Sequence, residues 1–175
     1  MWSVRTAVES DLSEVLEIYN ASILTTTTWS DRPQTIEERT MWFGARKAAG
    51  DGVYVADADG VVVGFASYGA FRNNELWPGY RFTVENTVHV ADGWQGQGVG
   101  RSLMERLIAH ATAAGMHVMA AAVDAENVGS VAFHESLGFA EVGRLPEVGR
   151  KFDRWLDLVL LQRTLNPRAA ASGEA

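Results

Sequence analysis

The chain has 175 residues, 47% of them apolar and 21% charged, a length for one domain that buries about 70% of its unfolded surface and a composition that excludes a disordered or fibrous protein. It contains no cysteine, which excludes disulfides, thiolate metal sites and cysteine-based acyl-enzyme chemistry. The formal charge of −7 argues against a nucleic-acid partner but not against an anionic ligand, because backbone amides at a helix start hold phosphate without many lysines.

Glu9, Asp11, Glu14 and Glu17 interrupt the first thirty residues, no basic leader precedes an apolar run, and no stretch approaches the roughly 20 apolar residues that cross a bilayer. A cytoplasmic location with no membrane partner is therefore expected. From Val4 to about Asn20 the pattern reads as a strand and then a helix, with Leu12, Val15, Leu16 and Tyr19 at helical spacing and Ser10 as the N-cap. Thr25 to Thr28, Trp29 and the residues up to Pro33 have loop chemistry, after which Thr35 caps a second helix from Ile36 to Ala49 that stops at Gly50. Val53 to Ala56 and Val61 to Tyr68 read as strands joined by the hairpin pair Asp59-Gly60.

Beyond the loop from Asn73 to Gly79, Tyr80 to Val90 reads as one long strand with Glu85 in its middle. A glycine-rich turn follows, then a helix whose apolar face is Val99, Leu103, Met104, Leu107, Ile108 and Ala111, stopped by Gly115. Val118 to Val123 is a buried-type strand, Ser130 to Leu137 a short helix and Trp155 to Leu161 a last strand. The order of elements, with two strands closing it, is that of an α+β domain with a mixed sheet over residues 1–166, and residues 167–175 read as a disordered tail.

Chemistry concentrates in Gln95-Gly96-Gln97-Gly98-Val99-Gly100-Arg101, between a strand and an amphipathic helix. Several consecutive amides can point at one anion there, glycine lets it come close, and the helix dipole favours its charge. A dinucleotide fingerprint requires glycine where Arg101 stands, and a P-loop requires Lys-Ser or Lys-Thr directly after a glycine. A turn without a ligand is the remaining alternative.

The pattern Gln95-x-x-Gly98-x-Gly100 resembles the pyrophosphate-binding signature of the GNAT acetyltransferases, and it stands between strand and helix as that family places it. Asn127, Ser130 and the run Phe133 to Phe139 resemble the family's second coenzyme-contacting region. The strand Tyr80 to Val90 is similar to the Tyr-x-x-Thr-Val-Glu strand of the branch holding phosphinothricin and methionine sulfone or sulfoximine N-acetyltransferases. Tyr19-Asn20, Pro33-Gln34-Thr35 and Val148 to Asp157 share that likeness, which covers about residues 2 to 165. One departure is His134, where the wider family has a tyrosine that protonates the leaving thiolate.

The resemblance implies the acyl-CoA N-acyltransferase fold, a mostly antiparallel mixed sheet flanked by helices, with acetyl-CoA as co-substrate. Its coenzyme contacts fall on Val88, His89, Val90, Gln95, Gly96, Gln97, Gly98, Val99, Gly100, Arg101, Asn127 and Ser130, with the Val90 amide polarising the thioester. It also implies a homodimer in which the segment Lys151 to Trp155 lies near the neighbouring site.

An amine acceptor is largely protonated at neutral pH, so acetyl transfer needs a base, and Glu85 is the candidate. A structural ion pair of Glu85 with Arg72 or Arg81 is the alternative reading. His134 is the candidate acid, against a plain packing role. Arg72 and Arg81 can hold a substrate carboxylate, Trp29 and Thr83 can line the pocket, and a loop charge or a core aromatic is the alternative for Arg72 and Trp29. With no cysteine and no Gly-x-Ser-x-Gly elbow, direct attack in a ternary complex is expected, and the scattered histidines imply no metal. A polyamine, an aminoglycoside or a protein N-terminus is the rival acceptor, and a non-catalytic coenzyme-binding module the rival class.

Overall fold

The computed structural model describes residues 1–25 and 28–166; the tail 167–175 and positions 26 and 27 of the threonine-rich loop lie outside the described residues. Strand β1 (Trp2–Thr6) passes through a 3-10 turn into helix α1 (Leu12–Ile23). Ser10, the expected cap, sits inside that turn. Asp11 holds the corner instead, its carboxylate accepting the Val8 N–H at 2.8 Å and a two-pronged pair from Arg5 at 2.7 and 2.8 Å, a charge-assisted arrangement that a serine hydroxyl cannot match.

Helix α2 (Ile36–Ala49) begins where expected, with Thr35 Oγ1 accepting the Glu38 N–H at 3.3 Å while the Glu38 carboxylate accepts the Thr35 N–H at 2.9 Å. Strands β2 (Val53–Ala58) and β3 (Val61–Ala70) follow, joined at Asp59 and Gly60 with both φ values positive, the hairpin turn that this pair favours. Strand β4 (Thr83–Val90) starts three residues later than its pattern suggests, because Pro78–Tyr80 form a 3-10 turn in which proline's fixed φ fits and its missing N–H costs nothing.

Helix α3 (Val99–Ala113) buries the six apolar residues expected of it, each contributing about 1.5–3 kcal/mol for the larger side chains. Strand β5 (Val118–Asp124), helix α4 (Val128–Ser136) and the hairpin of β6 (Ala140–Lys151) with β7 (Arg154–Thr164) complete the chain. The pattern of β6 is hard to read because its pairing slips between Leu145 and Gly149, around Pro146, with Glu147 at φ 52°.

The seven strands form one sheet in the order β1-β2-β3-β4-β5-β7-β6, antiparallel throughout except for β4 beside β5, the mixed sheet expected. Helix α3 packs on one face over Leu103, Met104 and Leu107, and α1 and α2 pack on the other over Val15, Phe43 and Phe65. No helix among the described residues is long and apolar enough to cross a membrane.

One departure from regularity positions everything that follows. Strands β4 and β5 pair only from Thr83↔Val118 to Glu85↔Ala120, although β4 runs on to Val90 and β5 to Asp124, so the sheet forks at its centre. At the crotch the Asn86 side chain donates from Nδ2 to the Ala120 carbonyl at 2.8 Å, supplying the partner that the next rung would have given. The Ala91 N–H reaches back to Val63 on the β3 side at 2.9 Å, and main-chain groups alternate along an antiparallel strand. The N–H and C=O groups of Val88 and Val90 therefore face the open fork.

Candidate active site

Two cavities meet in the fork. The larger, about 1070 Å³, runs from α1 past the end of β4 to the first turns of α3 and α4. The smaller, about 250 Å³, lies between the diverging strands under Trp29, with Glu85 on one side and His134 on the other.

The larger cavity ends at the glycine-rich turn, whose local structure follows from its sequence. Gly98 sits at φ 86°, a left-handed conformation that side chains rarely adopt, and from there the chain turns directly into α3. The first amides of α3, at Val99, Gly100 and Arg101, are left without carbonyl partners in their own helix and carry the positive end of its dipole, which is the chemistry that binds a diphosphate. Gln95, Gly96, Gly98, Gly100 and Arg101 line this cavity, as do Val88, His89, Val90, Asn127 and Ser130. The Val99 side chain is instead in the core, 1% exposed, and Gln97 lies outside the lining with its amide donating to the Gly93 carbonyl at 2.7 Å. Gln95 also turns its side chain inward: Oε1 accepts the Gly93 N–H at 3.0 Å and Nε2 donates to the Val90 carbonyl at 3.2 Å, so it braces the turn against the strand.

Glu85 is half-buried on β4 and lines the smaller cavity. No ion pair among the described residues involves it, so the structural pairing with Arg72 or Arg81 is not formed. Burial raises its carboxyl above the usual carboxylate range, since no nearby cation compensates the lost solvation.

His134 is 3% exposed on the opposite wall. Its Nε2 lies 3.2 Å from Asn86 Oδ1, and since the Asn86 amide nitrogen is engaged with Ala120, this ring nitrogen is the donor. Its Nδ1 lies 2.8 Å from the Ser130 carbonyl. Burial lowers the imidazole below its usual value and the Ser130 carbonyl opposes that shift, because it favours a proton on Nδ1. Ser130 in turn gives its N–H to the Asn127 side chain at 3.0 Å, the cap of α4.

Trp29 forms the outer wall, packed on Gly149 of β6 so closely that a Cβ there would lie 2.3 Å from the indole. Lys151, buried at 4% exposure, donates from Nζ to the carbonyls of Thr25 and Thr28 at 2.6 and 2.8 Å and so ties the threonine-rich loop to the hairpin of its own chain. It does not project outward; Phe152 and Trp155 do.

The structure does not bring the remaining candidates to the smaller cavity. Arg72 lies over the rings of Phe71 and Tyr80, and Arg81 lies over Phe82 with Nη1 donating to the Pro78 carbonyl at 2.9 Å. Thr83 stands at the paired end of β4, on the side where the fork is closed. Sequence reasoning missed Asn86, whose role depends on where the strands part. It missed Asp124 too, which lines the smaller cavity with Oδ1 accepting the Glu126 N–H at 3.1 Å and Oδ2 without a partner among the described residues. Arg39 also escaped notice, a guanidinium 3% exposed over the rings of Tyr19 and Trp42 at 4.3 and 4.6 Å.

Comparison with known proteins agrees with this geometry. The family model described as the acetyltransferase (GNAT) family matches residues 13–139. An L-methionine sulfoximine/L-methionine sulfone acetyltransferase of Salmonella typhimurium is 41% identical over 169 residues, covering 96% of this chain and 97% of that protein. A phosphinothricin N-acetyltransferase of Alcaligenes faecalis is 36% identical, covering 94% of this chain and 83% of that protein. Among solved structures, a Salmonella typhimurium acetyltransferase with its cofactor acetyl-CoA superposes with a TM-score of 0.92 at 41% identity, over 97% of both chains.

Proposed function

The chain belongs to the GNAT acetyltransferase family, and from that premise we propose that it moves the acetyl group of acetyl-CoA onto the primary amine of a small amino-acid-like substrate of the methionine sulfone, methionine sulfoximine or phosphinothricin type. The observation that carries the reading is the fork, which joins a long groove ending in free helix amides to a short cavity holding a half-buried, unpaired carboxylate. Acetyl-CoA fits the groove with its diphosphate on the amides of Val99, Gly100 and Arg101 and its thioester beside the main chain of Val88 and Val90. The acceptor amine enters under Trp29.

Glu85 takes the ammonium proton, directly or through a water, and its raised carboxyl value brings it closer to the operating pH, where a general base works best. The amine nitrogen bonds to the thioester carbon, the carbon–sulfur bond breaks, and the second proton shed by that nitrogen passes to the departing sulfur, which leaves as a thiol beside His134. A thiol of pKa near 8.5 needs only modest help to leave, and the Nε2–H of His134 gives it a hydrogen bond by turning from Asn86 Oδ1 to the sulfur. No residue lining either cavity supplies a covalent acyl carrier of cysteine type, which favours direct attack. The smaller cavity, about 250 Å³ and walled by Trp29, suits an amino-acid-sized amine better than a peptide end.

A homodimer belongs to the same reading. Phe152 and Trp155 at the tip of the β6–β7 hairpin are 55% and 60% exposed, a pair of aromatics that an interface would cover. Sedimentation equilibrium is expected to give twice the mass of one chain, and Trp155→Glu to shift it toward the monomer. A monomer in the unaltered protein would remove this part.

The test is thiol release from acetyl-CoA against methionine sulfone, methionine sulfoximine, phosphinothricin, polyamines and basic peptides. Turnover is expected with the first three, and Glu85→Gln is expected to lower it by about 10²-fold or more while acetyl-CoA still binds. Turnover with peptides or polyamines alone would overturn the substrate class.

A further inference from the structure

Any acetyl group passing from the groove to the acceptor cavity crosses a boundary formed by four residues, Val88, His89, Asn127 and Ser130. Three of them are accounted for, since Val88 presents its main chain to the fork, Asn127 caps α4, and Ser130 steadies His134. His89 is not. Its side chain is 9% exposed, held flat against Phe65 with ring centres 5.2 Å apart at 24° and edge-on to Tyr19 at 5.5 Å and 76°. Neither ring nitrogen has a hydrogen-bond partner among the described residues, yet neither is sealed from the cavities. Nitrogens open to the cavities can pair with water, so a rigid, open imidazole at this junction is a group that can exchange that water for a partner brought by the substrates.

The surroundings decide its charge. Arg39 is buried behind the same two rings, its Cζ 4.3 Å from the Tyr19 centroid and 5.8 Å from that of Phe65. Arg39 has no carboxylate partner among the described residues, and its Nε and Nη2 are unpaired, so no anion offsets its charge nearby. Burial, reinforced by Arg39, lowers the His89 imidazole to about 4, and the ring is neutral in any physiological medium. A neutral ring that resists a second proton is a poor base and a good uncharged donor. Glu85 is pushed the opposite way, so the two groups divide the work, one accepting the proton and the other holding one.

We propose that His89 is a catalytic residue, donating one ring N–H to the thioester carbonyl oxygen as the amine attacks and stabilising the negative charge that gathers there. The proposal rests on the acetyl-transfer reading above. No bond to His89 forms or breaks; the carbonyl π pair moves onto oxygen under the hydrogen bond and returns as sulfur leaves, while Glu85 keeps the ammonium proton it took and the second nitrogen-bound proton passes to the departing sulfur. The donor complements the main-chain amides of β4, which approach from the strand edge.

The test compares His89→Phe, which keeps the ring stacking and loses the donor, with His89→Gln, which keeps a donor. With acetyl-CoA and methionine sulfone, His89→Phe is expected to lower kcat by about 10²-fold with KM for both substrates and the Kd of acetyl-CoA within about threefold, and His89→Gln to recover about tenfold of that loss. Chloroacetyl-CoA, whose carbonyl needs less polarisation, is expected to shrink the penalty of His89→Phe, which a packing defect would not do. A kcat for His89→Phe within about threefold of the unaltered protein, a loss confined to KM, or an equal penalty with both donors would overturn the role of His89 and leave the acetyltransferase standing. Absence of thiol release by the unaltered protein with every amine would overturn the functional reading and this role with it.

Discussion

The chemistry proposed for this chain rests on two buried groups pushed in opposite directions. Glu85 loses solvent and gains no cation, so its carboxyl rises; His89 loses solvent and gains a neighbouring cation, so its imidazole falls to about 4. The second shift has a consequence for the fold as well. Between about 6.5 and about 4 the unfolded chain takes up a proton on His89 that the native ring refuses, so stability is full above that window and falls by about 3 kcal/mol as pH drops through it. His89→Phe is expected to lose this component, seen as a flatter dependence of urea unfolding on pH; an unchanged slope would mean that His89 is solvated in the native state. The carboxyl of Glu85 predicts an acid limb in kcat/KM displaced above the ordinary carboxylate range and lost in Glu85→Gln. Glu85 was legible as a candidate because its strand resembles the Tyr-x-x-Thr-Val-Glu strand of the family and amine acetylation needs a base. The ring of His89 was not, because its meaning depends on Arg39, about fifty residues earlier and brought beside it only by the packing of α2 on the sheet. Arg72 and Arg81 show how nearness along the chain differs from nearness in space: they follow β3 or precede β4 closely, but they sit beyond the paired end of β4, away from the opening of the fork.

At the scale of elements, the parts most legible were those governed by local rules. Helix α2 was readable from Thr35 to Gly50 because its capping box and its stop are written within the segment. The β2–β3 hairpin was readable from Asp59-Gly60 for the same reason. Strand β6 resisted because its alternation is broken by a slip in register, and β4 was read too long because Pro78 acts on its first residues from outside. The turn before α3 was legible as a left-handed glycine turn opening a helix, and the side chain of Gln95 serves that turn itself. Gly98→Val forces a branched residue into the left-handed region, which costs about 1–2 kcal/mol or more where no compensating contact exists. It is expected to weaken acetyl-CoA binding by at least about tenfold in calorimetry while the far-ultraviolet dichroism stays native. Undiminished affinity would place the diphosphate elsewhere.

For the whole molecule, the decisive feature is a sheet that is continuous at one end of β4 and split at the other. Six of its seven strands could be placed in the sequence, but the fork could not, since no local pattern says where two parallel strands stop pairing. Asn86 marks the place only once Ala120 is known to lie opposite. In the proposed reaction the split lets a donor from one side and an acceptor from the other meet at Val88 and His89, which line both cavities, without a carrier residue between them. The most direct test of that arrangement is an initial-velocity study with acetyl-CoA and methionine sulfone varied together. Direct attack with both substrates bound predicts double-reciprocal lines that intersect, whereas parallel lines, the mark of an acylated enzyme and successive half-reactions, would contradict it.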